Sequence, residues 1–326
     1  MSFVLVQSAL AQFRWNGTGS DTTTSVATLA YASAQTAGNC NVVCIQAYSQ
    51  DSTNVSYCTT VDSSGNGTGA TPLVGTATVV FDSDSVSFSN PQTLPNGAAL
   101  EFDAQPGVFY FLQGAIVSST SATLTDPYVG TGGSTAVTQV AVYRAPSGCD
   151  LGGSTVLPTN VGQGTLAIAY AYDIVSAGAG ANTVSAVLSN DNCGADYSYL
   201  SIAEFSGVSA LTDPYDTSGN AFSNSNVIPS LTLTTGASGD LVIVSATEPT
   251  PDCPNISGTL ATQLTPGIDS AAGVSSQYGT SAGAGSVAIG GGGWVTQDGW
   301  AMVALALKAA GSAAPPTSVI FNAMNA

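Results

Sequence analysis

The chain contains no histidine among its 326 residues. That removes the side chain whose ordinary pKa lies nearest neutrality, and with it the usual general base, the commonest metal ligand and the usual pH switch. Nucleophiles that depend on a histidine base, whether serine or cysteine, are excluded with it. Basic residues are almost as scarce. Arg14, Arg144 and Lys308 stand against 20 acidic residues, for a formal charge of −17. Too few cations are present to neutralise phosphates, which excludes nucleic acid as a partner. An anionic membrane surface is disfavoured for the same reason. No run approaches the ~18 apolar residues of a membrane-spanning helix, so no membrane insertion is expected.

Cysteine is present but unpaired in sequence. Cys40, Cys44, Cys58, Cys149, Cys193 and Cys253 form no CxxC pair. Without histidine, a zinc site would need four of them from scattered places. Cys149, Cys193 and Cys253 sit in loop-like sequence rich in Gly, Asp, Pro and Asn, which favours loop disulfides in an oxidising compartment; free, partly buried thiols are the alternative. At the N-terminus, residues 3–10 are largely apolar and residues 8–11 imitate a cleavage site. No Lys or Arg precedes them, and the segment is expected to be a first strand.

What the chain does have is a hydrophobic fraction of 44%, 37 glycines and abundant Ser and Thr, with only 7% charged residues. Runs with strand character recur between turn signals: residues 26–31, 40–48, 137–144, 165–172, 183–188, 199–205, 240–245 and 300–307. The last run, WAMVALAL, has helical propensity, but its shortness favours strand. Residues 76–136 carry shorter strands every eight to twelve residues, including a hairpin of 76–81 with 85–88, as in a small barrel or sandwich. The pentapeptide LTDPY occurs at 124–128 and again at 211–215, where it is expected to mark a strand exit. The fold class expected from these patterns is all-β.

Several motifs occur in a telling order: VQSA at 6–9, TAGN at 36–39, DSSGN at 62–66, ANTV at 181–184, AEFSGV to DPYD across 203–216, TTGASGDLVI at 234–243 and GWAMVALALK at 299–308. In this order they resemble the jelly-roll, concanavalin-like modules of bacteriophage virion proteins and bacterial surface proteins. The resemblance covers most of residues 3–69 and 137–309. Residues 76–136 are similar to small β-modules of phage tail fibres and baseplates. The resemblance implies an antiparallel jelly-roll sandwich built from 1–71 and 137–310, a small β-barrel or sandwich inserted at 72–136, and a tail at 311–326. It further implies a non-enzymatic structural protein of the virion, extracellular and exposed on a phage particle as a head decoration, head fibre or tail-fibre component. Its partners would be copies of itself and other virion proteins.

Individual residues add alternatives. Glu101, Glu204 and Glu248 are the only glutamates, scattered too widely for a recognisable glycosidase motif, although a concanavalin-like glycosidase remains a minor alternative. Glu204 lies in an apolar strand, where an isolated charge is costly. It is expected to be a structural acid satisfied by hydroxyls or by a rare cation, with Arg144 as its partner. Asp62, Asp82 and Asp84 offer oxygens to calcium, but ordinary turn capping is the expectation and no cofactor or metal is foreseen. Trp294, Tyr278 and Tyr197 are candidates for stacking against a host-surface glycan in an adhesion module, with core packing as the alternative. In the tail, Val319, Ile320, Phe321 and Met324 form an apolar segment that either docks on a neighbouring subunit or folds back.

Overall fold

Runs of Val, Ile, Thr and aromatic residues broken by glycine fit a pleated, half-buried surface, and all the regular structure among the described residues is strand. The computed structural model describes residues 3–13, 26–49, 55–144, 165–176, 181–190, 197–210, 213–223, 230–248, 256–258, 260, 262–264, 273–291 and 300–311. The first strands are β1 (Val4–Phe13), β2 (Val26–Ala34), β3 (Cys40–Ser49) and β4 (Val55–Asp62). Mostly short ones follow: β5 (Thr71–Pro72), β6 (Ala77–Val79), β7 (Ser85–Leu94), β8 (Ala99–Phe102), β9 (Phe109–Phe111), β10 (Ile116–Thr123), β11 (Gly133–Thr135) and β12 (Val137–Gln139). Three long strands, β13 (Thr165–Ile174), β14 (Ala181–Asn190) and β15 (Tyr197–Ser206), return to pair with the first group. The remainder are β16 (Tyr215–Ser223), β17 (Ser230–Thr235), β18 (Leu241–Glu248), β19 (Ile256–Gly258), β20 (Thr262–Gln263), β21 (Gly273–Thr280), β22 (Gly285–Gly291) and β23 (Trp300–Leu307).

These strands form six antiparallel sheets among the described residues. In stacking order they are β17-β22-β19, β16-β23-β18-β21-β20, β1-β15-β3-β13, β2-β14-β4, β5-β12-β8-β9 and β10-β7-β6-β11. The stacking follows from which side chains share each core. Leu233, Val287 and Ile289 of the first sheet meet Val244, Met302 and Ala304 of the second. The other face of the second sheet, with Ile243, Val303 and Leu305, meets Val42, Tyr170 and Phe205 of the third. Val43, Ile45 and Ile202 of the third meet Ala27, Val184 and Ala186 of the fourth. Val61 and Val187 of the fourth then meet Ala99 and Phe111 of the fifth. Phe102, Tyr110 and Val137 finally pack on Val79 and Phe88 of the sixth.

The second and third sheets are thus covered on both faces. Alternate residues of β18 and β23 face opposite cores, so both faces must be apolar. That is why β18 begins with the apolar run LVIV, why WAMVALAL is apolar throughout, and why every residue of β23 is buried. The strand reading of residues 300–307 holds. The hairpin expected near residue 80 also forms, with Ala77 opposite Phe88.

Two expectations are revised. Where one sandwich with one insert was expected, the larger part of the chain makes four sheets and the small module two. The strand expected over 137–144 also divides. Val137–Gln139 pairs with β8 and β5 inside the small module, while Val142 and Arg144 bridge back to Thr68 and Tyr172. The module therefore extends to β12, past residue 136. Gly67 makes its entry possible. With φ at 122° it occupies the left-handed half of the map, and a Cβ there would lie 2.5 Å from the Val142 carbonyl oxygen.

Candidate functional site: a buried polar row between the third and fourth sheets

Each of the four strands of the third sheet carries a polar residue at one level, and pairing places the four in line. Gln7 on β1 lies opposite Glu204 on β15. Glu204 lies opposite Asn41 on β3, and Asn41 opposite Asp173 on β13. A polar row therefore crosses the third sheet from edge to edge. Asn41, Asp173 and Glu204 are all buried.

Glu204 is fully enclosed, and fixed donors hold its carboxylate. The side-chain amides of Gln7 and Asn39 each donate at 2.6 Å, and the Thr36 N–H donates at 2.9 Å. Gln7 also accepts from the N–H and hydroxyl of Ser33, tying the β1 edge to the neighbouring sheet. Expected from sequence was a pairing of Glu204 with Arg144. Instead, the Arg144 guanidinium lies 3.6 Å from Asp173 and 3.9 Å from Asp213. The physical reason is register. Arg144 bridges to Tyr172 on β13, one residue from Asp173 and two strands away from Glu204. At 3.6 Å the contact with Asp173 is coulombic and too long for a hydrogen bond. Burial raises the Asp173 pKa, and Arg144 opposes that rise.

Facing the row from the fourth sheet is a third buried acid, Asp62. Asp62 ends β4, and its Oδ1 accepts from the N–H groups of Ser64 and Asn66, as a turn-capping aspartate does. Its Oδ2 accepts from Tyr143 at 2.5 Å and from Asn182 and Asn66 at 2.7 Å. Asn41 links the two sides. It donates to the Tyr143 hydroxyl at 2.8 Å and exchanges amide hydrogen bonds with Gln35. Burial chiefly, with Tyr31 and Asp62 adding, raises the Tyr143 pKa well above the ordinary phenol value and keeps it a donor. Chemically, the arrangement holds three carboxylates inside the fold: Glu204 and Asp62 have donors on both oxygens, while Asp173 Oδ2 accepts no hydrogen bond and faces Arg144.

The other candidates fall elsewhere. The Tyr278 ring meets Phe205 edge-to-face at 5.1 Å and packs on the core between the second and third sheets. Tyr197 opens β15 opposite Tyr48. Trp294 and the tail residues Val319, Ile320, Phe321 and Met324 lie outside the described residues, as do Cys149, Cys193 and Cys253. Cys40 and Cys44 are free and buried; burial pushes the Cys44 thiol up to about 12 and Cys40 higher still. Asp82 occupies a turn with φ at 59°. Among the described residues no three Asp, Glu or Cys gather as a metal site.

The two LTDPY copies serve different ends. The first follows β10 as a strand exit, and its Tyr128 is buried against Phe102 and Tyr110. The second leads into β16. There Asp213 accepts from the Tyr172 hydroxyl, and Tyr215 stacks on the Tyr172 ring.

Sequence reasoning singled out Glu204 but missed Asn41, Gln35, Asn182 and Tyr143. The available signal was a polar side chain set among apolar neighbours: Asn41 in CNVVCI, Asp173 in TLAIAYAYDI and Glu204 in YLSIAEF. A second miss was the Asp216–Asp240 pair. Asp240 immediately precedes the buried strand β18 and is itself buried. Burial, then the adjacent Asp216, raises its pKa to about 6. Compared with family models and with curated proteins, the chain matches none.

Proposed function

We propose that the chain is a non-enzymatic structural protein of a phage virion, displayed on the particle as a decoration or fibre component. The observation supporting this reading is the stack of six sheets joined by five cores. It gives a stiff body whose termini of regular structure, β1 and β23, belong to its inner sheets. Two features agree with it. Glu204, the acid that stood out in the sequence, is fully buried and held by structural donors. The surface carries almost no lysine, so it offers few sites to trypsin-like proteases. In this reading the jelly-roll resemblance describes the larger part, and the apolar tail is the segment that docks on neighbouring copies.

Two measurements test it. Immunogold labelling of purified particles with an antibody to the chain is expected to decorate the particle surface; unlabelled particles known to contain the protein by mass spectrometry would place it inside and overturn display. Native mass spectrometry of the full chain and of a chain lacking residues 313–326 is expected to show loss of oligomer on truncation. An unchanged oligomer removes the tail from the assembly model.

A further inference from the structure

The fourth and fifth sheets part at one end and leave a cleft of about 290 Å³. Its two walls come from the two bodies of the protein and differ in chemistry. One wall is the outward face of β2 and β14, where the hydroxyls of Thr28, Thr183 and Ser185 and the nearby Ser63 stand beside Val26. The opposite wall belongs to the small module and presents Phe109 with Val108 and Pro127 beside it. Asp126, from the first LTDPY copy, supplies the one charged side chain of the lining.

The hydroxyl wall is held from beneath by the buried polar cluster. Ser63 donates to the Asn182 side-chain amide oxygen at 3.1 Å and accepts from the Thr183 N–H at 2.9 Å. Asn182 in turn donates to Asp62 at 2.7 Å. Thr28 and Ser185 lie 3.4 Å apart, oxygen to oxygen. Hydroxyls fixed in this way lose little freedom when a ligand arrives, which is how preorganisation raises affinity. The module wall is equally constrained, because the Val129 N–H donates to the buried Tyr110 hydroxyl.

We propose that this cleft binds a single neutral sugar ring. A pyranose has an apolar C–H face and a rim of hydroxyls, and the two walls match those two surfaces. Aromatic and apolar area on one side with a few placed polar groups on the other is the general form of a small-ligand site, and such sites favour domain interfaces. The volume lies at the lower end of the roughly 300–1,000 Å³ common for them, which suits one ring better than an extended chain. Charge narrows the ligand further. The lining holds a carboxylate and neither Lys nor Arg, so anionic sugars and phosphates are repelled. The carboxylate accepts from sugar hydroxyls, a charge-assisted bond stronger than a neutral one.

The test uses the full chain on an array of neutral and acidic glycans. Saturation-transfer NMR with glucose, galactose and N-acetylglucosamine at millimolar concentration runs alongside. Binding is expected for at least one neutral sugar and for no acidic one. Asp126→Asn and Phe109→Ala are each expected to weaken it at least tenfold. Thr28→Trp, at an exposed position, is expected to fill the cleft and abolish binding while leaving the melting temperature within a few degrees. If no neutral sugar gives a transfer signal, or if binding survives Thr28→Trp in a folded protein, the assignment is overturned. Preference for acidic glycans overturns it equally. Failure of the sugar assay leaves particle display untouched, since labelling and glycan binding are read separately.

Discussion

The third sheet meets two neighbours, and its two faces solve burial differently. Toward the second sheet it presents mainly apolar side chains, Cys40, Val42, Cys44, Tyr170 and Phe205, which interlock with Ile243, Val303 and Leu305 and add a hydrogen bond across the interface, from the Tyr170 hydroxyl to Ser245. Toward the fourth it presents apolar residues at one end and the polar row of Gln7, Glu204, Asn41 and Asp173 at the other. Both faces exclude water. An apolar interface tolerates small shifts of volume and register at modest cost. A polar interface is valid in one register only, because a slip of one residue would turn every carboxylate and amide of the row to the other face. The apolar face therefore supplies adhesion between layers, and the polar face supplies uniqueness.

Substitutions separate these roles. The largest effect is expected for Asp62→Leu, which removes the acceptor of Tyr143, Asn182 and Asn66 and of two backbone N–H groups. With each orphaned buried donor worth about 1–3 kcal/mol, a loss of ~3–5 kcal/mol is expected in urea unfolding. A loss under 1 kcal/mol would show the Asp62 side of the polar cluster to be replaceable by apolar packing. On the other face, Ile243→Val deletes one buried methylene and is expected to cost about 0.5–1.5 kcal/mol with the cooperativity of unfolding unchanged. If the two variants destabilise equally, the distinction between the faces fails.

A smaller effect is expected from Asp240. Its folded pKa of about 6 lies above the ordinary value of 3.8. A raised pKa means that the folded state holds the proton more tightly than the unfolded chain does. Its contribution is therefore complete below about pH 4 and is lost as pH rises through about 6. Asp240→Asn is expected to flatten the decline in melting temperature between pH 4 and 7, leaving the part that Asp173 contributes in the same direction. An identical pH profile for the variant would remove the Asp216–Asp240 pair from consideration. The smallest expected signal is at the thiols. Cys40 and Cys44 are expected to resist a disulfide reagent at pH 8 until denaturant is added, as read by peptide mapping, because the thiolate is the reactive form and burial suppresses it.

How far the sequence reaches can be judged from particular residues. The strands at 240–245 and 300–307 were legible because a run apolar on both faces has few other homes. What was not legible is that two such sheets lie face to face, since strand patterns state how a face is made and not which face it meets. Glu204 stood out as a costly charge in an apolar strand. Its donors did not, because Gln7, Thr36 and Asn39 reach it through pairing and loop return. The cleft was least visible of all. Thr28, Ser63, Phe109, Asp126 and Ser185 are distant in sequence and share no motif.

The small module leaves the larger body at Thr68 and rejoins it at Val142, and these two residues exchange both backbone hydrogen bonds, at 2.9 and 3.0 Å. Its two attachment points are thus side by side, the geometry under which insertions into a domain are tolerated. Seen from the larger body, some seventy residues occupy the place of a turn. A short turn joining Thr68 to Val142, or an unrelated module with equally close ends, satisfies the same two hydrogen bonds. The cleft, half of whose wall belongs to the module, is therefore the part of this protein that can be exchanged in one recombination step while the remaining layers keep their register.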